Sequence, residues 1–379
     1  VVQLTLTLGT LLLALMQLWR IRGEQSLTAA MGSIVIDGPA VLLQASILII
    51  AIISIFLIAD TEHFTPLAAA LPGSAEEREA AQAGKQVLAV VEIRARFDEL
   101  ANVRWARKLE EAGVHVVYGL MGLKTHAKLS LVVRQEADGL RRYCHVGTGN
   151  YNPRTARLYE DLGILSSDPV LCNDLSRLFN QLSGFVSDIE FKRLIVAPKS
   201  LRSSLLEKIE REIKNAEANL PARIRFKLNS LLDEHFVAAL YRASQAGVRV
   251  EIFVRGICAI KPGMPLLSKN VTVRSFLGRF LEHSRIYHFH NAGEDEYWIG
   301  SADLMNRNLD RRIETLIRVD QPEHKNSISG LLDLYGNDQV KHWEMDNGGA
   351  WRRKTHSENG EPFIDIQERL IEVVRGRSK

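Results

Sequence analysis

The chain has 379 residues, of which 25% are charged and 46% are hydrophobic, and its formal net charge is +3. This composition is ordinary for a globular protein with two or three domains, and the small positive excess suits a polyanionic partner without requiring one. The three cysteines, Cys144, Cys172 and Cys258, are far apart. They predict neither a zinc site nor a disulfide framework, and the expected compartment of the globular part is a reducing cytoplasm.

Two uncharged, apolar stretches lie near the start of the chain, at residues 1–19 and 40–59. Each approaches the roughly 20 residues that a helix needs to cross a bilayer. They predict two membrane spans within a transmembrane-like segment, residues 1–84, and a membrane association through residues 1–59. The alternative is a pair of buried core helices. No basic residue precedes the first stretch, so a secretory signal is not expected.

From about residue 80 onward, short β-rich runs alternate with helical segments, which predicts an α/β architecture. Helices are predicted at residues 99–112, 173–184, 201–218 and 234–245. Strands are predicted at residues 87–93, 114–118, 126–133, 143–146, 222–228, 248–254, 271–276, 285–290, 296–299 and 314–319.

One pattern occurs twice, 157 residues apart: a histidine, then a basic residue two positions later, then a turn of small residues. The first copy has His126 and Lys128, and the second has His283 and Arg285. The turn is Gly147–Asn150 in the first copy and Gly300–Asp303 in the second. A repeat of this length predicts a duplicated domain rather than a solenoid. Two such halves packed face to face would bring two imidazoles and several cations together.

The spacing of His126 and Lys128 predicts that both side chains point to the same face of a strand. A neutral imidazole is a competent nucleophile toward a phosphoryl group, and a nearby positive charge favours that neutral form. The alternative is a histidine that is merely packed within a strand. The matching His283 and Arg285 favour the functional interpretation.

Other candidate residues lie around these motifs. The backbone N–H groups of the turn that ends at Asn150 could approach an anion, and His145, just before this turn, is interpreted as a hydrogen-bond donor that shapes the site. Arg96 and Arg255 end strands, where ligands bind in open α/β sheets, and arginine suits bidentate contact with phosphate. Tyr159 could stack on a base or lie in the core.

Residues 85–379 resemble the C-terminal half of bacterial polyphosphate kinase, of the type that works through a phosphohistidine. The matching segments are Ala95–Glu99, Gly122–Lys128, His145–Asn152, Thr155–Tyr159, Val254–Cys258, Arg279–His283 and Gly300–Asp303. The resemblance implies two phospholipase-D-like domains, residues 85–193 and residues 194–379. The family's N-terminal domain, its head domain and the opening of its first catalytic domain have no counterpart here, nor do a family arginine and asparagine from those parts.

The resemblance also implies roles for individual residues. His126 would be the phosphorylated nucleophile, and His283 the acid and base near the nucleotide phosphates. Arg96 stands at the position that the family assigns to Mg²⁺; because an arginine cannot ligate a cation, we expect it to bind phosphate oxygens beside the metal. The predicted nucleotide-binding and phosphate-binding residues are Tyr159, Arg255, His283, Lys128, His145 and Asn150.

Residues 1–84 resemble a different family, the N-terminal region of NADH-quinone oxidoreductase subunit N. The resemblance lies in Val35–Ala40 and Leu71–Glu79, and it carries no function over because the proton-path helices of that family are absent. A mis-joined or truncated reading frame is the expected explanation, and a membrane-anchored fusion is the alternative.

The leading hypothesis is therefore a truncated polyphosphate kinase with ATP or ADP and inorganic polyphosphate as substrates, Mg²⁺ as cofactor, no nucleic-acid partner, and homo-oligomers in the intact family. A second hypothesis is a phosphodiesterase of the phospholipase D type. That chemistry usually needs an aspartate five residues after the basic residue, where this chain has Val133 and His290. A third is an inactive, membrane-tethered remnant that binds polyphosphate.

Overall fold

The computed structural model describes residues 27–29, 34–36, 74–94, 99–184 and 190–377. The chain divides into two compact units, Val1–Ala70 and Leu71–Lys379. In the first unit, strands β1 (Leu27–Ala29) and β2 (Ile34–Ile36) pair antiparallel. Both predicted membrane spans lie outside the described residues, and no helix within those residues has the length and apolar character needed to span a bilayer.

The second unit alternates strands and helices. Its helices are α1 (Ser74–Gln82), α2 (Glu99–Glu111), α3 (Pro153–Ala156), α4 (Pro169–Leu182), α5 (Leu201–Glu217), α6 (Glu234–Gln245), α7 (Asn306–Arg311), α8 (Pro322–Gly336) and α9 (Ile366–Arg377). The strands of its first part are β3 (Leu88–Val90), β4 (His115–Val117), β5 (Lys124–Thr125), β6 (Lys128–Glu136), β7 (Gly139–Gly147), β8 (Tyr159–Glu160) and β9 (Gly163–Ser166). Those of its second part are β10 (Leu194–Ala197), β11 (Arg223–Leu228), β12 (Arg249–Val254), β13 (Val271–Ser275), β14 (Leu281–Glu282), β15 (Ile286–Phe289), β16 (Glu296–Gly300), β17 (Arg312–Val319), β18 (His342–Met345) and β19 (Trp351–Lys354).

A mixed sheet dominates the part of this unit that the structure describes. Its strands run in the order β10-β17-β16-β15-β11-β12-β13-β18-β19, and β5 joins β17 from the first part of the unit. β11, β12 and β13 are parallel neighbours, while β15, β16 and β17 are antiparallel. β6, β7 and β9 form a separate antiparallel sheet, and β3 pairs with β4 in parallel.

The central strands of the large sheet, among them β11, β15 and β16, are buried on both faces, because each face is covered by a different layer. On β11, Ile224, Phe226 and Leu228 point to a core that also contains the buried residues of α5 and α6. Arg225 and Lys227, at the alternate positions, are also buried and point to the opposite face. That face carries a second core, built from α4, α8 and part of β7. The sheet therefore lies between two layers, and β7 packs on the second face.

The predicted α/β alternation is confirmed, with most boundaries within two or three residues. Two strand predictions are wrong at their starts. β7 begins at Gly139, four residues before its predicted start. β6 begins at Lys128, so His126 precedes the strand instead of sharing a strand face with Lys128. The reason is tertiary, since the N–H groups of His126 and Ala127 both donate to Ile313 O of β17, at 2.9 and 3.0 Å.

One helix begins earlier than predicted. α4 begins at Pro169 because Asp168 caps it, accepting a hydrogen bond from Leu171 N at 2.8 Å, and proline is favoured at the first position of a helix. The sequence also missed further elements, which were assigned to no helix or strand: β9, β10, α7, α8, β18, β19, α9 and the two-residue strands β5, β8 and β14.

Candidate active site

His126 lies in the short gap between β5 and β6, and a carboxylate from β17 orients it. The distance from His126 Nδ1 to Glu314 Oε2 is 2.8 Å, and the Glu314 side chain is fully buried. Asn308 Nδ2 donates to Glu314 Oε1 at 2.7 Å, and Ser301 Oγ donates to Glu314 Oε2. Because Glu314 accepts the Nδ1 proton of His126, the Nε2 lone pair of His126 is left available for chemistry.

His283 lies between β14 and β15, and a carboxylate orients its ring as Glu314 orients that of His126. Its Nδ1 is 2.7 Å from Asp161 Oδ1, and Thr148 Oγ1 donates to the same carboxylate oxygen at 2.7 Å. Asp161 belongs to the first part of the unit and His283 to the second, whereas His126 belongs to the first part and its partner Glu314 to the second. Each histidine is therefore held by a carboxylate from the other copy of the repeat.

These two carboxylates were not identified from the sequence. Their equal spacing from the hydroxyl residue of each turn is a signal that could have found them. Asp161 follows Thr148 by 13 residues, and Glu314 follows Ser301 by 13 residues. In both copies the turn hydroxyl bonds the carboxylate and accepts the N–H of the residue after it, from Leu162 at 2.9 Å and from Thr315 at 3.2 Å. The repeat therefore extends beyond the histidine and the turn to a carboxylate.

Glycines in the turns allow this close packing. A Cβ at Gly149 would lie 2.5 Å from Asp161 Oδ2, and a Cβ at Gly300 would lie 1.9 Å from Thr315 O. A side chain at Gly149 would displace the carboxylate of Asp161, and a side chain at Gly300 would displace the backbone of β17 next to Glu314.

Two buried cations lie beside the histidines. Lys128 is 7% exposed and Arg285 is 3% exposed. Each donates a hydrogen bond to the carbonyl oxygen of its own histidine, Lys128 to His126 O and Arg285 Nη1 to His283 O. Arg285 Nη2 also pairs with Asp303 Oδ2 at 3.1 Å. The positive charge of the site thus lies next to both imidazoles.

Burial and these cations keep both histidines neutral. Burial lowers the pKa of His126 to about 4 in spite of Glu314, and Lys128 and Arg285 add to the effect. Burial likewise lowers the pKa of His283, with Arg285 adding to it and Asp161 opposing it. Burial also lowers the pKa of Lys128 to about 7 in spite of Glu314. The His126 side chain is 20% exposed and the His283 side chain 8%, so His126 is the more accessible of the two.

Tyr159 and Arg255 lie on the His283 side of the site. Tyr159 belongs to β8, which pairs in parallel with β14, and its ring centroid is 4.8 Å from that of His283. Arg255 follows β12, is half-buried, and donates from Nε to Asn229 Oδ1 at 2.6 Å. Asn229 in turn donates its backbone N–H to Asp303 Oδ1 at 2.8 Å. Asn229, which the sequence did not single out, and Asp303, the last residue of the second turn, therefore act as supports.

The remaining sequence candidates are less central. Arg96 lies outside the described residues. Asn150 is exposed, and the hydrogen bond of His145 goes to Tyr151 Oη, at 2.6 Å from Nδ1, rather than to either site histidine. Of the residues that replace the phosphodiesterase aspartates, Val133 is 51% exposed and His290 pairs with Asp295 at 3.0 Å.

The described part of the site offers no uncommitted carboxylate to a magnesium ion. Glu314, Asp161 and Asp303 are engaged by His126, by His283 and by Arg285 respectively. Mg²⁺ prefers free oxygen ligands and is commonly held through substrate phosphates as well as carboxylates. The carboxylates of the described part of the site therefore do not fit a protein-bound magnesium ion.

Comparison with known proteins adds a family to this geometry. Residues 75–188 match the model of polyphosphate kinase C-terminal domain 1, and residues 194–365 match that of polyphosphate kinase C-terminal domain 2. A polyphosphate kinase of Streptomyces coelicolor is 59% identical over 299 residues, which are 79% of this chain and 40% of the relative. One of Mycolicibacterium gilvum is 56% identical over 273 residues, 72% of this chain and 37% of the relative.

A solved structure agrees with these relatives. The crystal structure of polyphosphate kinase from Porphyromonas gingivalis superposes with a TM-score of 0.74 at 35% identity. The match covers 82% of this chain and 47% of the Porphyromonas gingivalis chain. The chain thus spans about 40% of the length of the curated relatives it matches.

Proposed function

Over residues 75–365 the chain belongs to the polyphosphate kinase family, and from this premise we propose that it transfers the γ-phosphate of ATP, through a phosphohistidine, to the end of inorganic polyphosphate. The reaction is reversible. The observation that carries the proposal is the crossed pairing of two neutral histidines with carboxylates from opposite copies, beside two buried cations. Such a site provides a nucleophile, a proton carrier and fixed positive charge for the phosphate.

His126 is the proposed nucleophile. Its Nε2 attacks the γ-phosphorus, the bond between that phosphorus and the bridging oxygen breaks, and the electron pair leaves with ADP. A terminal phosphate oxygen of polyphosphate then attacks the phosphohistidine, the P–N bond breaks, and Nε2 recovers its lone pair. The low pKa of His126 supports this role, because its imidazole is neutral at physiological pH.

His283 is the proposed proton carrier for the leaving ADP oxygen. Because the free site keeps His283 neutral, it would take up its proton only with the polyanionic nucleotide bound, and Asp161 would stabilise that protonated form. Tyr159 and Arg255 are proposed to contact ATP, with Lys128, His145 and Asn150 on the phosphate side. Mg²⁺ is proposed to arrive with the nucleotide as its counter-ion, where it would offset phosphate charge.

Two phospholipase-D-like domains, residues 85–193 and residues 194–379, are the proposed architecture. The 13-residue spacing from Thr148 to Asp161 and from Ser301 to Glu314 supports a duplication. Cytoplasmic location, homo-oligomers and membrane attachment through residues 1–59 stay predictions. Light scattering of the purified protein tests the oligomers, and fractionation of cells that express the chain tests the other two.

Phosphodiester hydrolysis is the less favoured chemistry. The aspartates that it usually requires are replaced by Val133 and His290, and neither side chain makes a hydrogen bond to the site histidines within the described residues.

The test is covalent labelling. We expect the protein, incubated with γ-labelled ATP and Mg²⁺, to acquire a phosphoryl label that is lost in acid and stable in alkali. His126→Ala should acquire none, and His283→Ala should label at least about 100-fold more slowly, as expected for loss of a general acid. His324→Ala is the matched control, because it removes an exposed histidine of α8 to which the proposal assigns no role.

Three other results would contradict the proposal. Equal labelling of His126→Ala would mean that another residue is the nucleophile. Hydrolysis of bis(p-nitrophenyl) phosphate without any label would indicate a phosphodiesterase. Polyphosphate binding without label or turnover would indicate a binding remnant.

A further inference from the structure

A buried lysine that the proposed transfer does not use lies behind the His283 side of the site. Lys227, on β11, is 3% exposed. Its Nζ lies 2.8 Å from Glu160 Oε2, 2.9 Å from Glu282 Oε2 and 2.8 Å from Ser284 Oγ. A buried charge is costly unless it is paired, and here one ammonium group is shared by two carboxylates and a hydroxyl.

The partners of Lys227 are the immediate neighbours of the candidate site residues. Glu160 lies between Tyr159 and Asp161 in the chain, and Glu282 and Ser284 flank His283. Lys227 therefore bonds to both of the segments that carry candidate site residues, one segment from each copy of the repeat. Because it is buried behind these segments, Lys227 acts through them and not on the substrate.

The contact between these two segments is short. β8 and β14 pair over two residues, Leu281 with Tyr159 and Glu282 with Glu160. Only a few backbone hydrogen bonds secure it, among them Leu281 N to Leu158 O at 2.8 Å and His283 N to Glu160 O at 3.2 Å.

The pairing also places two carboxylates directly opposite one another, an arrangement that destabilises paired strands. Glu282 has further support, since it accepts hydrogen bonds from Tyr335 Oη at 2.5 Å and from Gln367 Nε2 at 2.8 Å. Glu160 has Ser284 and Lys227. Lys227 is the cation common to both carboxylates, and its charge offsets their repulsion.

We propose that Lys227 is a positioning residue that sets the register of β8 against β14 and thereby holds Tyr159 and Asp161 against His283. The ring contact at 4.8 Å and the hydrogen bond at 2.7 Å both depend on this register. The consequence for catalysis rests on the proposed function, whereas the consequence for the strand pair does not.

The test compares Lys227→Met with Arg225→Met, a matched control on the same strand. Arg225 points to the same face, is 2% exposed, and pairs with Asp333 at 2.6 Å, away from the site histidines. Hydrogen exchange should show the Leu281 and His283 amides opening at least tenfold faster in Lys227→Met and unchanged in Arg225→Met. With ATP, Lys227→Met should raise KM at least tenfold while His126 still accepts the label.

Amides as well protected in Lys227→Met as in the unaltered protein would overturn the proposal, whatever the labelling shows. Faster exchange in Lys227→Met would support the positioning role even if the unaltered protein never acquires a label. The missing label in the unaltered protein would then count against the proposed function alone. If Lys227→Met does not fold, the double variant Lys227→Met/Glu160→Gln, which removes the repulsion, should fold and protect these amides better. A double variant no better than the single one would refute the role.

Discussion

At the scale of single residues, the site depends on environment more than on residue type. The chain has 11 histidines, and His126 differs from an exposed one because burial and two adjacent cations act on it in the same direction. Its carboxylate partner, Glu314, stays ionised because the hydrogen bond from His126, the charge of Lys128 and the hydrogen bond from Ser301 outweigh burial and lower its pKa. The neutral nucleophile and its charged partner are thus stabilised together.

The pH dependence of labelling follows from these shifts. The neutral form of His126 should dominate above its pKa of about 4, and the charged form of Lys128 below its pKa of about 7. The kcat/KM for ATP, which reports the free enzyme, should therefore rise through about pH 4 and fall through about pH 7. Single-turnover labelling between pH 3.5 and pH 9 (roughly the range that brackets both limbs) checks this. An acid limb near the ordinary histidine value would contradict it.

Replacing Glu314 tests the orientation of His126. Glu314→Gln keeps the size of the side chain but removes the charged acceptor of the Nδ1 proton, so the wrong tautomer becomes accessible. We expect labelling to slow by about 10²–10⁴-fold, as for other carboxylates that orient a catalytic histidine. Glu296→Gln is the control, because Glu296 is a buried carboxylate paired with Lys208 and Arg211. Equal losses in both variants would indicate a general structural effect.

At the scale of elements, α4 connects the two parts of the second unit. Asp174, on α4, is 1% exposed, and its Oδ2 accepts the N–H groups of Lys192 at 2.8 Å, Arg193 at 2.6 Å and Leu194 at 3.2 Å. One carboxylate thus satisfies three backbone donors where the chain enters β10. This fixes the large sheet against the helix that packs beneath β7.

Removing this carboxylate should be costly. Asp174→Ala leaves three backbone donors without their acceptor, and we expect the free energy of unfolding to fall by about 2–4 kcal/mol. Asp168→Ala, which removes only the N-cap of the same helix, should cost about 1 kcal/mol. Urea unfolding of both variants measures the difference. A loss in Asp174→Ala no larger than that in Asp168→Ala would contradict this account.

At the scale of the whole molecule, buried histidines make the fold sensitive to acid. Burial lowers the pKa of His288 to about 4, although Asp295 opposes the shift, and the pKa of His126 is also about 4. In the unfolded chain both would titrate near 6.5. Between these values the unfolded state binds more protons, so the free energy of unfolding falls as pH falls from about 6.5 to about 4.

Each of these histidines should contribute about 3 kcal/mol to that loss. His288→Gln should therefore reduce proton uptake on unfolding by nearly one proton in this window, which urea titrations at several pH values measure. His115→Gln, at an exposed position, is the control for the loss of a histidine side chain. A slope unaffected by His288→Gln would contradict the assignment.

Much of the fold could be predicted from local pattern. α6 matches its prediction at both ends, because its amphipathic period and the Asp233 cap are local signals. β10 and α8 were missed. β10 has only four residues, all of them buried, and so short an apolar run does not by itself specify a strand.

The sequence by itself determined the α/β class, the duplicated histidine motif and the basic residue beside each histidine, because these depend on local periodicity and spacing. Only the tertiary structure decided which carboxylate serves which histidine. Glu314 lies 188 residues from His126, and Asp161 lies 122 residues from His283. Such pairs form because β17 carries Glu314, and the segment that follows β8 carries Asp161, to the histidine of the other copy of the repeat. A local pattern can show that both carboxylates exist, but only the packing of the two copies assigns each one to its histidine.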